Sequence, residues 1–134
     1  MPPRVCVFSR LPGRYAITRL APGVSLLPAI LDLPGFVSVT RTADELSIVC
    51  DAAVITRDVP AERGFRTLVV RGSLPFDAVG ILAGITSALA AAEIPLLAIS
   101  TFDTDYVLVR EARLADAAAA LRGRGYAVRA HETS

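Results

Sequence analysis

Short apolar runs alternate along this chain with polar corners, and the densest corner lies in LLAISTFDTDYVLVRE, residues 96–111. LLAIS and YVLV are bounded by turn formers and predict two interior strands, joined by TFDTD with its two carboxylates, two threonine hydroxyls and one phenyl ring. Upstream, FRTLVVRG predicts a strand and GILAGITSALAAAE a helix. In that helix Ile81, Leu82, Ile85, Leu89 and Ala92 follow the three-and-four spacing of one buried stripe, and Pro95 ends it. Residues 113–124 predict a second helix with Leu114, Ala117, Ala118 and Leu121 inward and Gly123 or Gly125 as its left-handed cap. YAVRA predicts a last strand. The order strand, helix, strand, strand, helix, strand, with short connections, predicts an α+β fold: an antiparallel sheet with two helices on one face.

The first half repeats this pattern in part. Its opening run, residues 5–8, fits either an edge strand or an ordered arm. YAITRL alternates as a strand, APG turns, and VSLLPAILDL makes a short helix limited by Pro28, which removes a hydrogen bond and crowds the preceding turn. GFVSVTRT and LSIVCDAAV predict two strands around the corner RTADE. TRDVPAERG, residues 56–64, is the most polar interior stretch and reads as a linker, dividing an N-terminal part, residues 1–62, from a C-terminal part, residues 63–134. FVSVTRTADELSIVCD aligns with LLAISTFDTDYVLVRE, each a strand, an acidic threonine-bearing turn and a strand. The first half has no evident second helix or fourth strand, so it is expected to pack on the complete half or to borrow a strand from it.

Composition narrows the function. A chain of 134 residues that is 53% hydrophobic suits one compact domain or two small ones sharing a core. Its net charge of +1 and scattered arginines argue against nucleic acid as a partner. All 14 basic residues are arginine, which excludes lysine Schiff-base catalysis. The longest uncharged run, residues 78–92, is shorter than the roughly 20 residues a membrane span needs. MPPRVCVFSR lacks the apolar core and cleavage site of a secretory signal, so a cytoplasmic location is expected. Cys6 and Cys50 lie far apart in apolar surroundings and read as buried thiols. His131, the only histidine, sits in the tail, and no phosphate loop or cluster of metal ligands is spaced for chemistry, so neither an enzyme nor a cofactor or metal is expected.

Two places carry candidate binding chemistry. Backbone N–H groups near Gly80 would point out of a helix start, where the dipole favours an anion; alternatively Asp77 caps the helix and Gly80 only permits close packing. Asp103 and Asp105 are two apart and face one side in extended geometry, so they can hold an ammonium or guanidinium, or else bond backbone N–H groups of their own corner. Phe102 can cover a ligand's aliphatic part or belong to the core.

The βαββαβ order, AISTFDTDYVLVRE, LPFDAVGIL and FVSVTRTADELSIVCD together resemble the paired ACT-like domains of small bacterial ACT proteins. They are also similar to the regulatory ends of aspartate kinases and to the tandem-ACT arginine sensors of animal cells. The resemblance implies a ferredoxin-like regulatory module of two ACT-like halves, the first truncated. It implies an amino-acid ligand held where two ACT units meet, within the chain or across a homo-oligomer such as a homodimer. Carried over by position, it points to Gly80 and Ile81 at the helix entrance, to Thr101, Phe102 and Asp105 at the corner, and to Ser38 and Val39 in the first half. The alternative is a protein-interaction module without a ligand, joined through open sheet edges.

Overall fold

The structure, a computed structural model, describes residues 7–25, 27–71 and 79–129. Cys6, Asp77 and His131 therefore lie outside the described residues. The chain forms two compact units, Gly13–Phe65 and a second made of Arg66–Ser134 with Met1–Pro12. The first strand, β1 (Val7–Arg10), thus belongs with the C-terminal half, although it precedes the N-terminal half in sequence.

In the N-terminal unit, β2 (Tyr15–Leu20) leads through the short helix α1 (Leu27–Leu31) to the hairpin of β3 (Ser38–Arg41) and β4 (Leu46–Asp51). β4 lies between β3 and β2, and the far side of β2 pairs with the first residues of β5 (Ala61–Val70). Residues 61–64 therefore open a strand, which corrects the expected linker over 56–64; only the turn before Ala61 is irregular. The polar sequence misleads here because Arg63 points its charge at backbone. Its guanidinium donates to the carbonyls of Ile55, Thr56 and Val59 at 3.0, 2.8 and 3.2 Å. Leu46, Ile48 and Cys50 form the unit's core, with Leu20, Ile30, Leu33 and Val39 packed against them.

In the C-terminal unit, β5 continues to Val70, and α2 (Ile81–Ala91), β6 (Leu97–Ser100), β7 (Asp105–Arg110), α3 (Leu114–Gly123) and β8 (Ala127–Arg129) follow. The strand order is β8-β1-β5-β7-β6. β1 is an interior strand, antiparallel to β5 through Phe8 opposite Val70 and parallel to β8 through Phe8 opposite Val128. This modifies the expected all-antiparallel sheet. β1 and β8 both run against β5, so β1, once inserted beside β5, must be parallel to β8. Phe8, Leu68, Val107, Val109 and Val128 present one face to Ile85 and Leu89 of α2 and to Ala117, Ala118 and Leu121 of α3. Each fully buried large aliphatic side chain of this kind contributes about 1.5–3 kcal/mol. Both helices thus lie on one face, and the molecule is α+β with a ferredoxin-like arrangement of helices on a sheet.

Candidate functional site

The β6–β7 corner is held by its own threonines. Thr101 donates its backbone N–H to the Thr104 carbonyl at 2.8 Å, and the Thr104 N–H donates back to the Thr101 hydroxyl at 3.2 Å. The Thr104 hydroxyl donates to the carbonyl of Val70, the last residue of β5, at 2.7 Å. That bond ties the corner to the strand end from which the chain leaves towards α2.

Asp105 opens β7 and is 8% exposed. The Ser100 hydroxyl, directly across the hairpin, donates to its Oδ1 at 2.5 Å, a charge-assisted bond. Among the described residues no cation pairs with this carboxylate. Asp105 shares its face of β7 with Val107 and Val109, which belong to the core under the helices. Asp103, by contrast, is exposed. Phe102 is 81% exposed, so it is not core.

Gly80 is the N-cap of α2, with φ 84° and ψ 0° in the left-handed region that glycine adopts without strain. It has no side chain to cap the first turn, so the N–H groups that a helix start leaves unpaired remain without a side-chain acceptor from the cap. Ile81 is half-buried and packs against the core, while Val79 just before the cap is 95% exposed. Gly80, Ile81, Thr101, Phe102 and Asp105 all lie in the C-terminal unit. Ser38 and Val39 lie on β3 of the N-terminal unit, Ser38 opposite Val49 and Val39 against the cluster of Leu46, Ile48 and Cys50.

Ser100 is a contributor that the sequence reading passed over. Its signal was present: in a hairpin closed by TFDT, Ser100 and Asp105 are the first cross-strand pair outside the turn. Among the described residues no group of three or more His, Cys, Asp or Glu could hold a metal ion, and no helix is long and apolar enough to cross a membrane.

Comparisons with known proteins follow the same division. An ACT domain family model matches residues 61–123, and a second family model, described as an N-terminal domain, matches residues 13–58. Among proteins of curated function none matches this chain. An X-ray crystal structure of a protein from Agobacterium tumefaciens is similar at 36% identity, with 97% of this chain and 98% of that chain covered and a TM-score of 0.87. The aspartate kinase of Clostridium acetobutylicum, an allosteric enzyme, is similar in fold at 12% identity and TM-score 0.63, over 87% of this chain and 33% of the kinase. A putative C-terminal regulatory domain of aspartate kinase from Porphyromonas gingivalis is similar in fold at 16% identity and TM-score 0.56, over 90% and 96% of the two chains. With α2, α3, the tied corner and the glycine at the helix start all lying within the matched segment, residues 61–123 of this chain belong to the ACT domain family.

Proposed function

We propose that this chain is a regulatory module, not a catalyst, that binds a small amino acid at the corner of its C-terminal unit. The observation that carries this reading is Asp105. A carboxylate taken out of water with one hydroxyl partner and no cation among the described residues carries a desolvation cost that an incoming ammonium or guanidinium offsets. The start of α2 at Gly80 and Ile81, where the cap residue offers no side-chain acceptor, supplies the opposite preference, for the ligand's carboxylate. Thr101 shapes the corner, and Phe102, largely exposed at the same corner, is the residue proposed to meet the ligand's aliphatic part. Ser38 and Val39, on β3 of the N-terminal unit, are proposed as further ligand-binding residues.

The test is a thermal-shift panel of the common amino acids. A true ligand at one hundred times its Kd raises stability by about 2.7 kcal/mol. One amino acid should raise the midpoint, and Asp105→Asn, checked for folding by circular dichroism, should abolish the rise. No response across the panel, or an unchanged response in the variant, would sink the proposal. A second reading, interaction with protein and no ligand, rests on the exposure of Val79 and Phe102 on one unit; a concentration-independent monomer in sedimentation, with no partner recovered, would count against it.

A further inference from the structure

Three neighbouring strands of the C-terminal unit, β1, β5 and β7, end in charge on the face that carries the helices. Phe8 of β1, Leu68 of β5 and Val109 of β7 belong to the core on that face. Two residues beyond Phe8, before Leu68 and beyond Val109 stand Arg10, Arg66 and Glu111. Side chains alternate along a strand, so these three continue the apolar face at one end of the sheet. Arg10 stands opposite Leu68, which makes Arg66 its diagonal neighbour on β5. Such neighbours are about 7–8 Å apart, within reach of two long side chains.

Both guanidinium groups are poorly satisfied. Arg10 and Arg66 are half-buried, and the Nε of each is buried without a hydrogen-bond acceptor. Only the terminal Nη groups reach the surface, as is usual for arginines at the edge of a core. Arg10 makes no side-chain hydrogen bond or ion pair among the described residues. Arg66 has Glu111, whose Oε1 lies 3.7 Å from its Nη1, outside hydrogen-bonding range, and that carboxylate is 41% exposed. A pair of that length and exposure holds its charge weakly. Two positive charges are thus partly withdrawn from water with little to balance them. They stand well away from the β6–β7 corner: Arg66 precedes Val70, to which the corner is tied, by four residues, about 13 Å along β5.

The donors decide the ligand class. A carboxylate has two oxygens and is filled by one guanidinium fork, which leaves the other arginine without an anion. A phosphate group carries at least three acceptor oxygens and up to two negative charges, and its tetrahedral shape accepts one fork on each side. We propose that Arg10 and Arg66 together bind the phosphate group of a small molecule, free phosphate or a phosphomonoester, through their Nη groups, and that Glu111 competes with it for Arg66. This site does not depend on the amino-acid site at the corner.

The experiment is an NMR titration of the isotope-labelled full chain at constant ionic strength, reading backbone amides and arginine Nε–H signals, with inorganic phosphate, glycerol 3-phosphate and acetate as probes. The phosphates should move the Nε–H signals of Arg10 and Arg66 and the amides of residues 9–11 and 66–68. Acetate should bind about fivefold more weakly or worse, as should phosphate to Arg10→Gln or Arg66→Gln, each checked for folding by circular dichroism; fivefold is the upper range for one exposed ion pair. Glu111→Gln should tighten phosphate binding by about two- to fivefold, a gain that arginines with a purely structural role would not give. Asp105→Asn should leave the response intact. Tighter binding of inorganic phosphate than of the ester assigns the site to the free anion, and the reverse order assigns it to a phosphomonoester. Acetate binding as tightly as phosphate, an affinity unchanged in both arginine variants, or no shift at these residues would overturn the proposal.

Discussion

Glycine in the interior of α2 invites a substitution whose sign depends on one hydroxyl. Gly84 sits mid-helix, where alanine is ordinarily about 1 kcal/mol better. A Cβ at this position would stand 2.5 Å from the Tyr126 hydroxyl oxygen and 3.8 Å from its ring Cζ. The first distance is well inside van der Waals contact and the second is an ordinary one, so the whole conflict is with a single atom. Tyr126 cannot simply swing aside: its ring packs on the core and meets Phe8 edge-on, with centroids 5.8 Å apart and planes at 81°. Gly84→Ala alone should therefore destabilise, by about 1–3 kcal/mol, the usual cost of overpacking. In a Tyr126→Phe background the same substitution should stabilise by about 1 kcal/mol, because the offending atom is gone and the helix gain remains. The two substitutions are thus coupled by about 2 kcal/mol or more, measured by urea denaturation of the four proteins in a double-mutant cycle. Additivity within about 0.5 kcal/mol, or stabilisation by Gly84→Ala in the parent chain, would refute the reasoning.

Three further outcomes follow from the same geometry. Cys50 is buried and free, and burial first, then the neighbouring Asp51 charge, holds its thiol above the ordinary value of 9.0. In a Cys6→Ser background the native protein should resist a thiol reagent at pH 8 and react fully in urea. Because the unfolded thiol loses its proton first, this group's contribution to stability is complete below pH 9.0 and declines as pH rises towards the folded value, a decline that Cys50→Ala should remove in alkaline denaturation curves. Arg63→Ala should cost about 1–3 kcal/mol and raise hydrogen exchange chiefly over residues 55–60, whose carbonyls the guanidinium gathers. Glu93→Gly should stabilise by up to about 1 kcal/mol in thermal denaturation, since Glu93 holds a left-handed φ of 58° at the end of α2, where α3 uses Gly125 in the same motif.

Much of the C-terminal unit was legible because periodicity and burial coincide there. Ile85 and Leu89 of the expected stripe are fully buried, and the strands around TFDTD begin and end within a residue or two of the apolar runs. Of the two offered caps for α3, the structure uses Gly125, with φ 91°, bonded to the Arg122 carbonyl at 3.0 Å. What could not be read was pairing. A short run around Val7 and Phe8 carries no information on its neighbours, and its position between β5 and β8 is set by contacts distant in sequence. The start of β5 was hidden for a different reason. Glu62 and Arg63 look like loop residues, yet Glu62 stands in the ladder opposite Ile17 and Arg63 directs its charge to carbonyls. Polar composition reports exposure of side chains, not irregularity of backbone.

The corner shows the same limit at the level of single atoms. Sequence named its polar groups correctly but could not say which were already engaged. The N–H and hydroxyl of Thr101 and the N–H of Thr104 close the turn, and the hydroxyl of Thr104 is committed to β5. Ser100 occupies one oxygen of Asp105. Among the described residues, that leaves the second oxygen of Asp105 and the first turn of α2, whose cap Gly80 has no side chain, as groups with capacity for a ligand. The threonines are thus better understood as the frame that fixes where those groups stand. In the proposed site, loss of a threonine would act through misplacement of Asp105 and Phe102, and loss of Asp105 through the missing charge itself.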